Sequence, residues 1–121
     1  MKLDMTEALA IDLDAETWNC RRCGHGIGPA GRSYKEGLLV YARDPREIHA
    51  SIIDAEKYAQ TFAPQPEWVR ILEYYCPHCA LLVEAEYLPP GHPPVRDMTF
   101  DLNGLREVAR RLAAGKPTAQ A

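Results

Sequence analysis

Apolar and polar residues alternate early in the chain, as they do in a β-strand that buries one face. Leu9, Ile11 and Leu13 are separated by smaller or charged residues, and this period of two predicts a strand that leads into Trp18. Trp18 lies just before Cys20, and we expect it to pack against the loop that carries Cys20 and Cys23. The polar start of the chain, residues 1–8, and the last residues, 116–121, are predicted to be loose termini.

Three further segments have the composition of strands. Residues 34–41 and 67–75 are rich in aromatic and branched side chains, which favour extended structure. Over residues 81–88, one face of the predicted strand is apolar, and the other face contains two glutamates between two leucines. We predict that 67–75 and 81–88 pair as antiparallel strands, with residues 76–79 at the turn between them.

Two segments have helical patterns. Asp44-Pro45-Arg46-Glu47 combines an N-cap, a proline at the first helical position and a capping glutamate. One apolar face then continues to the prolines at 64 and 66, through Ile48, Ile52, Ala55, Ala59 and Phe62. We predict either one helix or two short helical turns over this run. A second amphipathic pattern over 103–114 predicts a C-terminal helix that ends at Gly115.

Proline usage and composition define the fold class. The chain has ten prolines in 121 residues, and Pro89-Pro90-Gly91-His92-Pro93-Pro94 predicts an extended, polyproline-like arm. With 46% apolar and 26% charged residues, the composition is that of a globular chain. We predict a single domain over 1–121, of the α+β class with mainly short antiparallel strands.

The four cysteines fall in two short-spaced pairs with 52 residues between them. A Cys-x-x-Cys turn offers two sulfurs from one loop, and two such turns satisfy the tetrahedral coordination of Zn²⁺. The pattern predicts a zinc-ribbon-like clip with a large insertion, in which one structural ion is held by Cys20, Cys23, Cys76 and Cys79.

The residues around the cysteines bear on how each turn is built. Gly24 follows the first pair and lets the backbone curl so that N–H groups point at sulfur. Arg21 and Arg22 are expected to compensate the negative charge of the site. Ala80 stands at the position that corresponds to Gly24, so the second turn is expected to be less tightly wound.

Other chemistries remain open for these residues. A Cys-Pro-x-Cys turn also occurs in rubredoxins, so iron is an alternative metal, and free or redox-active cysteines are another. His25 and His78 lie within the turns and could replace a cysteine ligand or hydrogen-bond a sulfur, although we favour four cysteine ligands. His49 and His92 have no spaced partners and are expected at the surface.

No catalytic or cofactor-binding residue is assigned. A zinc ion with four cysteine ligands keeps no open position for substrate. Glu84 and Glu86 are expected to form a solvated or partner-facing edge. Residues 26–31 match G-x-G-x-x-G formally, but that pattern needs a preceding strand and a following helix. We assign its glycines instead to turns with positive φ.

The net charge and the hydropathy of the chain indicate which binding partners and which cellular compartment to expect. The net charge of −3 argues against nucleic acid, which is bound through positive charge. The first residues contain no apolar signal core, and no run approaches the length of a membrane span. We therefore expect a cytoplasmic protein without a membrane partner, in a compartment where cysteine pairs bind metal rather than form disulfides.

The segment 68–79, which contains Cys76-Pro77-His78-Cys79, and the segment 84–97, which contains the proline arm, together resemble the small gamma subunit of acetone and acetophenone carboxylases. The resemblance covers about residues 18–103. Its most specific part is the arm at that distance from the second cysteine turn. The compact length favours the acetophenone-type enzyme.

The resemblance implies a subunit of an ATP-dependent carboxylase that joins a ketone to bicarbonate to make a β-keto acid. It implies larger, hydantoinase-like partner subunits that use ATP, bicarbonate and a divalent metal, in a hetero-oligomer where this zinc-bearing chain is not catalytic alone. From the residues themselves, a rubredoxin-like electron carrier and a zinc-ribbon adaptor remain as alternatives.

Overall fold

The computed structural model describes residues 1–49, 56–57, 65 and 67–115. These residues form antiparallel sheets and a C-terminal helix, so the predicted α+β class is confirmed. The single domain over residues 1–121 stays a prediction, and within the structure the chain forms two compact units. The first comprises Met1–Leu38, Cys76–Leu81 and Arg96–Ala121, and the second comprises Leu39–Tyr75 and Leu82–Val95.

The first unit contains a four-stranded antiparallel sheet in sequential order. Its strands are β1 (Lys2–Asp4), β2 (Leu9–Asp12), β3 (Thr17–Cys20) and β4 (Gly26–Pro29). The loose terminus expected over residues 1–8 is wrong for β1, because Leu3 pairs with Ile11 across the ladder. The glycines at 26 and 28 lie in β4 and pair with β3 rather than forming a positive-φ turn.

Trp18 on β3 organises the core of this unit. Its side chain is 1% exposed, and its indole N–H donates a hydrogen bond of 3.0 Å to the carbonyl of Arg32. The ring packs edge-on against Tyr34, with centroids 5.4 Å apart, and lies 6.5 Å from Phe100. The aromatic partners of Trp18 thus come from segments that follow the sheet in sequence.

The segment 34–38 is not the strand that its composition predicts. Tyr34–Gly37 form a 3-10 helix, and the Ser33 hydroxyl caps it by accepting from the backbone N–H of Lys35. A Cβ atom at Gly37 would lie 2.0 Å from the carbonyl oxygen of Ile27. Only glycine therefore permits this close approach to β4, and the strand is delayed until Leu39.

The second unit contains a three-stranded antiparallel sheet in the order β5-β6-β7. The strands are β5 (Leu39–Arg43), β6 (Arg70–Tyr75) and β7 (Leu82–Leu88). The predicted pairing of the segments on either side of residues 76–79 is confirmed, since Ile71 lies opposite Tyr87.

An ion pair with a buried carboxylate joins β5 to β6 within this sheet. Arg43 donates through Nε and Nη2 to one oxygen of Glu73, at 3.1 and 2.9 Å, and the Tyr75 hydroxyl donates to the same oxygen at 2.8 Å. These hydrogen bonds, that of Arg43 first, hold the pKa of the Glu73 carboxyl below its usual value. The carboxylate is stabilised in the charged form despite its burial.

The helix predicted after Asp44 begins as expected. Helix α1 (Pro45–Ile48) has Asp44 as N-cap and a complete capping box with Glu47. The Asp44 carboxylate accepts from the backbone N–H of Arg46, and the Glu47 carboxylate accepts from the backbone N–H of Asp44. These two bonds are the reason for the start signal in the sequence. The rest of the predicted apolar face, through Ile52, Ala55, Ala59 and Phe62, lies outside the described residues.

The proline-rich arm begins with a turn rather than an extended segment. The backbone N–H of His92 donates to the carbonyl of Pro89 at 3.1 Å, and Gly91 has φ +80°. The guanidinium of Arg70 also donates to the His92 carbonyl. Because Gly91 adopts the left-handed conformation without strain, the chain reverses within the segment expected to be polyproline-like.

The C-terminal helix is confirmed with nearly the predicted bounds. Helix α2 (Leu102–Ala113) is capped by Asp101, and Gly115 follows it at φ +72°. Arg106 donates to the Leu13 carbonyl at 3.0 Å and to Glu16 at 2.7 Å, which attaches the helix to the four-stranded unit. Within the described parts of the chain, no helix has the length and apolar character that crossing a membrane requires.

Truncating Trp18 should test the core of the first unit. We expect Trp18→Ala to lower the free energy of unfolding by about 3–5 kcal/mol, because a large buried ring and its hydrogen bond are lost. Trp68→Ala is the matched control, since Trp68 is 73% exposed, and it should cost about 0.5 kcal/mol or less. Urea denaturation measures both, and equal losses would contradict this packing.

Candidate metal centre

The first cysteine turn closes directly after β3. The backbone N–H of Cys20 donates to the carbonyl of His25 at 3.0 Å, and the N–H of Gly24 donates to the carbonyl of Cys20 at 2.8 Å. Gly24 has φ +79°, so the chain curls back and the backbone N–H of His25 reaches the thiol of Cys23. The role predicted for Gly24 is confirmed.

The second turn repeats this backbone pattern with an alanine. The N–H of Cys76 donates to the carbonyl of Leu81, and the N–H of Ala80 donates to the carbonyl of Cys76, both at 2.9 Å. Ala80 has φ +63°, the left-handed conformation that Gly24 adopts in the first turn. The expectation of a looser second turn is wrong, and the structure instead places an L-residue in a conformation that costs free energy.

The two turns bring all four sulfur atoms together. Cys20 Sγ lies 3.7 Å from Cys79 Sγ, and Cys23 Sγ lies 3.7 Å from Cys76 Sγ. All four ligand atoms lie within 4.8 Å of one another, and none forms a disulfide. Sulfurs bound to a tetrahedral Zn²⁺ at about 2.3 Å lie about 3.8 Å apart. The spacing therefore fits four thiolates around one ion.

Burial and backbone dipoles divide the cysteines into two kinds. Cys20 and Cys76 are buried, whereas Cys23 and Cys79 are partly exposed. Burial acts to raise the pKa of Cys76, but backbone N–H groups of Cys79 and His78 lower it to about 7. For Cys23 the N–H of His25 acts to lower the pKa, while burial and the neighbouring sulfurs raise it to about 12. Four thiolates this close need a cation to compensate their charge.

The donor set fits a soft or borderline metal. Four thiolates from two turns suit Zn²⁺, and they also suit iron of the rubredoxin type. Cys20, Cys23, Cys76 and Cys79 would hold the ion, which would supply a cross-link between two distant chain segments. That these four residues bind metal stays a prediction. The structure shows that they are placed to do so.

The histidines of the turns make a contact that the sequence did not reveal. The rings of His25 and His78 are stacked, with centroids 5.2 Å apart and planes inclined by only 6°. No local pattern could have shown this, because the two residues are 53 positions apart. Outside the turns, His49 bonds the Tyr87 hydroxyl at 2.9 Å, and His92 is exposed.

Arg21 has other partners than the sequence predicts, and Asn19 has a role near the site that the sequence analysis did not predict. The guanidinium of Arg21, expected to compensate the sulfurs, donates to the Thr6 carbonyl at 2.8 Å and lies 3.1 Å from the Asp4 carboxylate. Asn19 was missed, although its buried amide donates to the Gly24 carbonyl at 3.1 Å and supports the first turn. Its position next to Cys20 was the only local signal.

A model of the acetone carboxylase gamma subunit family matches residues 1–109. The chain belongs to the acetone carboxylase gamma subunit family. This confirms the resemblance found in the cysteine turn and the proline arm, and the match extends beyond the segment that carried it.

This chain is similar to two carboxylase subunits, to different extents. It is 47% identical to the acetophenone carboxylase beta subunit of Aromatoleum aromaticum over 105 residues, covering 87% of this chain and 79% of that one. It is 32% identical to the acetone carboxylase gamma subunit of Xanthobacter autotrophicus over 92 residues, covering 74% of this chain and 51% of that one. This chain therefore spans about half the length of the acetone carboxylase relative.

Exchanging the residues at the two left-handed positions should shift stability in opposite directions. Gly24→Ala should lower the free energy of unfolding of the metal-loaded protein by about 1 kcal/mol, and Ala80→Gly should raise it by up to about 1 kcal/mol. A Cβ at Gly24 meets no atom within 4 Å, so the backbone conformation alone sets the effect. Chemical denaturation of both variants measures it, and a loss of stability in Ala80→Gly would be contrary to this account.

Removing one sulfur should remove the metal. Cys76→Ser is expected to lack stoichiometric zinc, and chelation of the wild-type protein should unfold or loosen it. The reason is that structural zinc contributes about 10–16 kcal/mol in small peptides. Elemental analysis and circular dichroism measure the two effects, with His92→Ala as a control that keeps its metal. Full retention of metal and fold in Cys76→Ser would rule out the clip.

Proposed function

We propose that this chain is a small structural subunit of an ATP-dependent ketone carboxylase. In this proposal Zn²⁺ closes the fold through the four cysteines, and catalysis resides in larger partner subunits. The chain has no catalytic role alone. It acts as a preformed piece that docks onto those subunits.

The observation that carries the proposal is the closed sulfur cluster in a chain of this family. Four cysteine ligands occupy every position of a tetrahedral ion, and a catalytic zinc needs one position for water or substrate. The four sulfurs lie within 4.8 Å of one another. This arrangement supports a structural role for the metal and therefore a supporting role for the subunit.

The finer assignments follow from the resemblance and the relatives. We propose an acetophenone-type enzyme that joins the ketone to bicarbonate, supported by the greater identity to the acetophenone carboxylase subunit. ATP, bicarbonate and a divalent metal would be used by hydantoinase-like larger subunits in a cytoplasmic hetero-oligomer.

Exposed aromatic residues support docking onto a larger protein. Trp68 is 73% exposed and Tyr87 is 50% exposed, and such residues are enriched in the cores of protein interfaces. Leu39, Val40 and Tyr41 on β5 are also exposed. Tyr74 does not belong to this set, because it is 1% exposed and its hydroxyl donates to Glu86.

Association with larger subunits tests the proposal. Native mass spectrometry of the protein purified from its source should report stoichiometric zinc together with larger carboxylase chains. Trp68→Ala should fold like the wild type and bind those chains at least about tenfold more weakly. The reason is that a tryptophan that becomes buried in a protein interface is often a hot spot of the binding energy. Leu112→Ala, an exposed apolar residue on α2, is the control. A wild-type chain that stays alone beside its partners would defeat the proposal.

The metal itself separates this proposal from its main alternative. A rubredoxin-like carrier would contain iron and absorb visible light, because ferric thiolate is coloured and d¹⁰ zinc is not. This alternative rests on the Cys76-Pro77-His78-Cys79 turn, because a Cys-Pro-x-Cys turn also occurs in rubredoxins. A red protein that cycles between two oxidation states would replace the structural role with electron transfer.

A further inference from the structure

The stacked histidines connect the two cysteine turns outside the sulfur cluster. His25 belongs to the first turn and His78 to the second, and both side chains are exposed. Their rings are nearly parallel, with centroids 5.2 Å apart. This distance lies in the range of favourable offset stacking between aromatic rings.

Each histidine is also part of the backbone that surrounds the sulfurs. The N–H of His25 points at the thiol of Cys23, and the N–H of His78 points at the thiol of Cys76. Cys23 and Cys76 are themselves one of the two closest sulfur pairs, at 3.7 Å. The stacked rings therefore join the two backbone segments that carry this sulfur pair.

The geometry of the stack argues against ligation by the rings. The lone pairs of imidazole nitrogens lie in the ring plane, so two parallel stacked rings cannot both direct a nitrogen at one cation between them. The four sulfurs already provide a tetrahedral donor set. The histidines are placed to act through the backbone and not as metal ligands.

We propose that His25 and His78 form a non-ligand latch that holds the two cysteine turns in register and slows the loss of the bound ion. The latch rests on the proposed metal centre. For an ion to leave, one turn must move away from the other, and this movement breaks the stack. The histidines are positioning residues for the metal, with no part in the coordination shell.

Zinc release from purified, zinc-loaded protein tests the latch. With excess chelator at constant pH, His25→Ala and His78→Ala should each keep one zinc per chain and release it roughly two- to tenfold faster, as expected for loss of one aromatic contact. The double variant should be no faster than the more affected single variant, because both changes break the same contact. A combined effect equal to the product of the two single effects would overturn the latch.

Conservative variants separate stacking from any other role of the imidazoles. His25→Phe and His78→Phe keep an aromatic ring but no nitrogen, so each should restore slow release. His92→Ala, which removes an exposed imidazole away from the turns, should release zinc at the wild-type rate. If the phenylalanine variants lose their zinc, the histidines are ligands and the latch is wrong.

The metal content of the wild-type protein distinguishes a failure of the proposed zinc centre from a failure of the histidine latch. A wild-type chain that carries no stoichiometric metal overturns the zinc centre itself, and the latch with it. A wild-type chain that carries zinc, with both alanine variants releasing it at the wild-type rate, overturns the latch and leaves the zinc centre standing.

Discussion

The structure depends on a cluster of four sulfur atoms that lie within 4.8 Å of one another, because their negative charge as thiolates must be compensated. As thiolates they repel one another, and as thiols they leave buried, poorly paired groups, so a divalent cation is the natural resolution. The sulfurs come from segments about 50 residues apart. Closing a loop of that length costs conformational entropy, which the coordination bonds of an ion can readily offset.

The two turns meet this requirement with the same backbone. In each, the first cysteine begins a short loop that ends in a left-handed residue, and backbone N–H groups are directed at sulfur. The flanking strands deliver these loops, since β3 ends at Cys20 and Cys76 follows β6 directly. Each turn is thus the connection of an antiparallel strand pair, which is the arrangement of a zinc ribbon.

The distribution of exposed and buried groups supports the proposal of a non-catalytic, structural subunit. The most reactive side chains, the cysteines, are gathered in one cluster in which Cys20 and Cys76 are buried and Cys23 and Cys79 are partly exposed. The buried carboxylate of Glu73 is paired with Arg43 within the three-stranded sheet. Several large apolar or aromatic residues are exposed, led by Trp68, which suits a surface that another protein covers.

A large part of this structure could be predicted from the sequence, because it depends on interactions between residues that are close together in the chain. Asp44 marks the start of its helix because its carboxylate caps an adjacent N–H group and nothing distant is needed. Strand period and cysteine spacing likewise depend on neighbours in the chain, so the β6–β7 pair and the four candidate ligands were predictable. The family resemblance rested on the same kind of short, contiguous motifs.

Only the tertiary structure decided the features that depend on distant neighbours. Residues 34–37 form a 3-10 helix, contrary to their strand-like composition, because Gly37 approaches the Ile27 carbonyl. The polar start of the chain is ordered as β1 through its ladder with β2, and the Tyr74 ring is buried in the three-stranded unit. His25 meets His78 only after the two turns converge. A sequence encodes the preferences of each segment, but close approach between segments is set by the packing of the folded chain.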